Sequence, residues 1–194
     1  MRSMQFFLAI AIVLAGWAAV ANGQGDAGSD RMTMQKIAED VYFLENSRGS
    51  SNAVFVVTQD GVLVFDADIR TADQVLAAIR KVTDKKVRYI VTSHAAGDHA
   101  TGVWAYREDK PIFIATRKQM RDLYMQEAVE FSQRKASTQP QYAPYKNAEL
   151  VLPDIAFEGA MTLRFGGLTF QITEEGSAHS TSNVTVISRS GAFS

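Results

Sequence analysis

The sequence contains no cysteine and only three histidines in 194 residues. Without cysteine there are no disulfides. Any metal must then be held by imidazole, carboxylate and water rather than by thiolate. There is no Lys/Arg run and no basic stripe interleaved with aromatics, and the formal net charge is only -1. Broad electrostatic attraction to nucleic acid or to an anionic membrane is therefore excluded. No G-x-G-x-x-G occurs, so Gly97 and Gly102 read as loop geometry rather than a phosphate cradle. No internal repeat is present.

What is present begins with a distinctive N-terminus. No acidic residue precedes Asp26, Arg2 supplies a positive start, and Phe6 to Val20 is almost continuously apolar. That run is shorter than the roughly 20 residues a spanning helix needs. It ends at Ala19-Val20-Ala21, an A-x-A cleavage pattern. Residues 1–21 are thus expected to be a signal peptide, which puts the protein in the periplasm or outside the cell. Residues 22–30, rich in Gly, Asp and Ser, read as a flexible lead-in. Residues 31–194 make one domain.

Within that domain the pattern mixes strands and helices. Val41–Leu44, Asn52–Thr58 and Val62–Ala67 read as strands, the last two joined by the turn Gln59-Asp60-Gly61. Thr71 and Gln74 spell a capping box before an apolar face of Val75, Leu76, Ile79 and Val82. Val87–Val91 and Pro111–Ala115 read as further strands. Arg117–Phe131 reads as a helix with Met120, Leu123, Tyr124, Ala128 and Phe131 on its apolar face. Ser132–Asn147 is expected to be a long polar loop, of the kind that covers sites. Met161–Phe165 and Leu168–Ile172 flank Gly166-Gly167 as a second hairpin, and Asn183–Ser188 is the last strand. Hairpins without strict alternation predict an α+β layered sandwich.

All three histidines fall in two small-residue loops. His94-Ala95-Ala96-Gly97-Asp98-His99 follows a buried strand, and Gly176-Ser177-Ala178-His179-Ser180-Thr181 follows the second hairpin. Ligands commonly gather beyond the carboxyl ends of strands. His94, Asp98, His99 and His179 are therefore the candidate metal ligands, with Asp98 also placed to orient a water. Ser93 and Ser180 beside histidines form weaker nucleophile–base candidates. Trp104, Tyr106, Tyr142 and Tyr145 are candidates for a substrate mouth or for packing.

The stretch Thr92-Ser93-His94-Ala95-Ala96-Gly97-Asp98-His99-Ala100-Thr101-Gly102 resembles the H-x-H-x-D-H signature of the metallo-β-lactamase superfamily. Gly176–Thr181 resembles that superfamily's second metal loop, and Asp66-Ala67-Asp68 its strand ending in an aspartate. The likeness runs from about residue 36 to the end of the chain. It implies a four-layer αββα sandwich of two ββα halves, with the second half incomplete in this sequence. It implies zinc, one or two ions, and hydrolysis of an ester, thioester, lactone or β-lactam-type bond by a zinc-bound water. His94 and His179 match two of the three ligands of one metal, and Ala96 stands where the third is expected. Asp98 and His99 match ligands of the other. The family's later bridging aspartate and final histidine fall past Ser194. Asp68, Glu174 and Glu175 are the candidates to replace the ligand missing at Ala96.

The resemblance therefore implies an exported hydrolase with an altered or impaired site. The alternatives are a fold-retaining protein that binds without catalysis and a truncated, inactive fragment. Its expected partner is a small-molecule substrate, with no nucleic acid and no membrane after signal removal. If the chain is incomplete, Asn183–Ser188 is an open edge strand and promotes a homo-oligomer.

Overall fold

The structure, a computed structural model, describes residues 30–190. The expected signal peptide and all of the lead-in but Asp30 lie outside the described residues. Strands β1 (Met32–Ala38), β2 (Val41–Asn46), β3 (Ala53–Val57) and β4 (Val62–Phe65) pair antiparallel in succession. Helix α1 (Ala72–Val82) then crosses to β5 (Val87–Val91), which runs parallel to β4. Two more parallel strands, β6 (Ile112–Thr116) and β7 (Ile155–Phe157), complete a seven-stranded sheet. A second, antiparallel sheet holds β8 (Ala160–Phe165), β9 (Leu168–Glu175) and β10 (Asn183–Ser190) in the order β10-β9-β8.

The two sheets face each other across an apolar layer. Leu63, Val91 and Ile114 of the large sheet meet Phe170, Ile172 and Val184 of the small one. The other face of the large sheet buries Phe55, Val64, Ile90 and Phe113 beneath Val75 and Ile79 of α1, with Tyr106 and Leu123. Each such buried side chain contributes about 1.5–3 kcal/mol of hydrophobic stabilisation. The layers are thus helix, sheet, sheet, which are three of the expected αββα layers. On the outer face of the small sheet Thr162, Arg164, Gln171 and Ile187 are exposed. β10 lies at its edge, paired with β9. No helix among the described residues is long and apolar enough to cross a membrane.

Both hairpins form where expected. Gly166 (φ +55°) and Gly167 (φ +84°) supply the two left-handed residues of a tight β8–β9 turn. Several other readings are corrected. The capping box at Thr71 and Gln74 is not made: the Thr71 side chain caps nothing. Gln74 instead accepts from Met32 N at 3.0 Å and donates to Asp30 O at 2.7 Å, tying α1 to the start of β1. The box forms at Thr116 and Gln119, where helix α3 (Arg117–Asp122) begins. The expected single helix is broken by a π-helical turn, Leu123–Glu127, before α4 (Ala128–Ala136). That extra residue per turn rotates the face: Gln119, Leu123, Glu127 and Phe131 are buried, while Tyr124 is 66% exposed. The expected loop Ser132–Asn147 is largely ordered, through the end of α4 and a 3₁₀ turn at Pro140–Tyr145. β1 and β7 had no clear period and were missed.

Candidate metal centre

β4, β5 and β6 run in parallel, so their carboxyl ends open on one side. Asp66 and Asp68 emerge there after β4 and the His94 segment after β5, beside Thr116 at the end of β6 and Gln119 in the helix that follows. The His94 segment is not wholly irregular. Ala96 precedes a single helical turn, α2 (Gly97–Ala100), which carries Asp98 and His99. It is held down at Gly102, where a Cβ would stand 2.6–2.8 Å from the Ala67–Asp68 backbone, so no side chain fits.

Asp66 organises this segment. It adopts φ +67°, a left-handed conformation uncommon for aspartate, and is buried. The turn aims its carboxylate at two groups. Ser93 N donates to Oδ1 at 2.6 Å, and His99 Nδ1 lies 2.9 Å from Oδ2. A carboxylate only accepts, so in the neutral ring the His99 proton sits on Nδ1 and Nε2 keeps its lone pair. On the other imidazole, His94 Nδ1 is 3.0 Å from Ser93 Oγ. His94 is buried, and its Nε2 has no hydrogen-bond partner.

Three of the four candidate ligands meet. Ligand atoms of His94, Asp98 and His99 all lie within 4.8 Å of one another. The His94 and His99 rings are 4.1 Å apart, and His99 Nε2 is 3.6 Å from Asp98 Oδ2. His179 is exposed, outside that group, but its ring stands edge-on to His94 at 4.9 Å. Burial, then the neighbouring His99, lowers the His94 pKa. Burial also opposes the charge on His99, but the hydrogen bond and charge of Asp66 outweigh it and raise that pKa.

A cavity of about 570 Å³ opens onto the site, lined by His94, Ala96, Asp98, Ser180, Tyr142 and Tyr145 among others. Tyr106 is instead fully buried in the core, and Trp104 packs beside Phe131 and Tyr145. Ser93 does not line the cavity, and Ser180 Oγ donates to Ser182 O, so neither is an attacking nucleophile. The three candidates to replace a ligand at Ala96 are engaged elsewhere. Asp68 is gripped by Arg70 and Ser51, Glu174 by Lys118, and Glu175 by Thr185.

Sequence reasoning missed the far wall of the cavity, where Glu127 pairs with Arg134, which also bonds Glu130. This pair sits on Gly97: a Cβ there would lie 2.8 Å from Glu127 Oε1 and closer still to Arg134 Nη1. Burial pushes the Glu127 carboxyl up from 4.5 to about 7, against the pull of Arg134. A raised acid binds its proton more tightly when folded, so the contribution of Glu127 to folding stability is largest below pH 4.5. It falls as pH rises towards 7 and is level above. We expect that fall to be about 1–2 kcal/mol, less than the full shift implies because Arg134 and solvent at the rim screen it. Denaturant unfolding of Glu127→Gln and the parent across pH 4.5–8 isolates it from the histidines. Identical pH profiles would refute this assignment.

Known proteins bear on this geometry. Residues 46–191 match the family model described as the metallo-beta-lactamase superfamily. No curated protein matches the chain. A metallo-beta-lactamase from Pontibacter korlensis superposes with TM-score 0.62 at 17% identity, over 80% of this chain and 66% of its own. A Cronobacter sakazakii metallo-beta-lactamase with a HARLDQ motif gives 0.58 at 18%, over 79% and 56%. The stereoselective inverting sec-alkylsulfatase Pisa1 from Pseudomonas sp. gives 0.62 at 15%, over 80% and 29%. At these identities the likeness shows the fold, and this chain spans 66% or less of each protein's length.

Proposed function

Because this chain belongs to the metallo-beta-lactamase superfamily, we propose that it is an exported, hydrolase-like protein. Its altered centre, on His94, Asp98, His99 and His179, would hold a single zinc ion. Its substrate would be a small molecule with an ester, thioester, lactone or β-lactam-type bond. The observation that carries this reading is the orientation of the two inner imidazoles. Each has Nδ1 occupied, by Ser93 or by Asp66, which turns Nε2 away from that support: the Nε2 of His94 has no partner and that of His99 faces the Asp98 carboxylate at 3.6 Å. A buried polar atom without a partner costs about 1–3 kcal/mol, and a metal beside His94 Nε2 would remove that cost. Nitrogen and carboxylate donors within 4.8 Å suit zinc. The carboxylate behind His99 and hydroxyl behind His94 match the usual support of a ligating imidazole. Export rests on the signal-like residues 1–21.

Zinc, when bound, supplies a Lewis acid that polarises a carbonyl and brings the pKa of a water to about 7. The chain's own part follows from the geometry. Asp98, 40% exposed at the cavity rim, takes the proton of the attacking water and returns it to the leaving group. Ser93 and Asp66 hold the imidazoles in place. Tyr142 and Tyr145 on the wall pack the body of the substrate and exclude bulk water.

Ala96 favours a second reading, a protein that keeps the fold and binds without hydrolysing. The HARLDQ motif of the C. sakazakii protein also lacks histidine at its third letter, so departure there does not by itself remove the fold. The two readings separate on a panel of thioesters, lactones and β-lactams. We expect slow turnover, abolished by Asp98→Ala with the fold retained. Turnover untouched by that substitution would remove the role given to Asp98, and no turnover with zinc bound would leave the binding reading.

A further inference from the structure

We propose that Gln119 is a positioning residue that fixes the spacing between the His94 segment and the His179 loop. The proposal rests on the metal-site reading above. Gln119 is fully buried in the first turn of α3. Its carboxamide nitrogen donates toward Ser93 O at 3.0 Å, Thr92 O at 3.3 Å and Ser182 O at 3.4 Å. The first two carbonyls sit beside His94, and the third lies three residues past His179. One side chain therefore joins both segments.

Its orientation is determined. The carboxamide oxygen accepts from Thr116 N at 3.0 Å, so the nitrogen must face the three carbonyls. Two N–H groups serve three acceptors, which keeps both segments drawn to one point. The same turn makes a second tie. Gln119 N donates to Thr116 Oγ1 at 3.0 Å, and that hydroxyl is 2.7 Å from Ser182 Oγ. Ser182 Oγ donates onward to Glu174 Oε1 at 3.2 Å, so the Thr116 hydroxyl is the donor to Ser182. Lys118 Nζ, 2.8 Å from Glu174, anchors the end of this chain. Thr181 is bonded to Asp122, also on α3. The helix thus grips the His179 loop at two successive residues, and Gln119 alone among these groups extends the grip to the His94 segment. Val184 N, donating to Ser93 O at 2.8 Å, closes the arrangement from β10.

His94 and His179 project from backbone that this carboxamide holds in register. Losing a hydrogen-bonding group behind a ligand typically costs about 10- to 100-fold in metal affinity. The test uses the full chain, with zinc affinity measured by chelator competition. Gln119→Met keeps the length and loses the donor. We expect it to weaken zinc about tenfold in the parent, and less than about threefold in a His179→Ala background, where the loop it holds carries no ligand. An equal loss in both backgrounds would show packing rather than positioning and overturn the proposal. Hydrogen exchange without metal gives an independent reading. Amides 177–182 should exchange faster in Gln119→Met while those of α1 stay unchanged, and unaltered exchange at 177–182 also overturns it. Should the parent bind no zinc, the metal reading fails and exchange still decides the role of Gln119. Should Gln119→Met not fold, Gln119→Glu serves: it keeps the shape and the bond from Thr116 but repels the carbonyls, and the same two results are expected.

Discussion

Protein equilibrated with zinc is expected to hold close to one ion per chain, and His94→Ala to lose more than about 100-fold in affinity. Groups behind a ligand are worth about 10- to 100-fold, so removing the ligand itself must cost more. His94 is the central donor: its ring touches both His99 and His179, and its Nε2 is buried without a partner. The same fact sets the expected effect on the metal-free fold. Alanine leaves a small void, but it also removes a buried group whose hydrogen-bonding potential is unmet. We therefore expect metal-free stability to change by no more than about 1 kcal/mol. Metal analysis after gel filtration and chemical denaturation check the two halves. Zinc content that His94→Ala leaves unaltered would sink the metal centre.

The second large effect is a gain. Ala96→His should raise zinc affinity by at least about 10-fold, the lower value for a group that merely supports a ligand, and speed any turnover of the ester and lactone panel. Ala96 lines the same cavity as His94 and Asp98. Its backbone (φ -68°, ψ 151°) is ordinary extended geometry that any L-residue adopts. The cavity of about 570 Å³ leaves room for an imidazole. A fourth well-placed nitrogen would complete a histidine-rich site that now relies on the exposed His179. Unaltered zinc affinity in the folded variant would show that position 96 does not face the metal.

Two tetrads illustrate what could and could not be read beforehand. Thr71-Ala-Asp-Gln74 and Thr116-Arg-Lys-Gln119 have the same capping pattern. Only the second makes the box, because the Gln74 carboxamide is taken by Asp30 and Met32. Which partner wins depends on strands that come alongside only after folding. The same limit hid Glu127: a helical period of 3.6 put Tyr124 inside, and one π turn put Glu127 there instead. Hairpins and the histidine signature were legible because turn chemistry and ligand spacing are properties of neighbouring residues.

By itself, then, the sequence determined the donor chemistry and the architecture. A chain without cysteine, with its histidines in two small-residue segments, admits only imidazole and carboxylate ligands, and its apolar periods require a layered sandwich. Only the tertiary structure decided how those donors point. Asp66 reaches His99 from 33 residues away, Gln119 reaches Ser93 from 26 and Ser182 from 63. A ligand's identity belongs to its residue type. Its free lone pair belongs to whichever remote group has bound the other nitrogen, and that is settled only when the strands are packed.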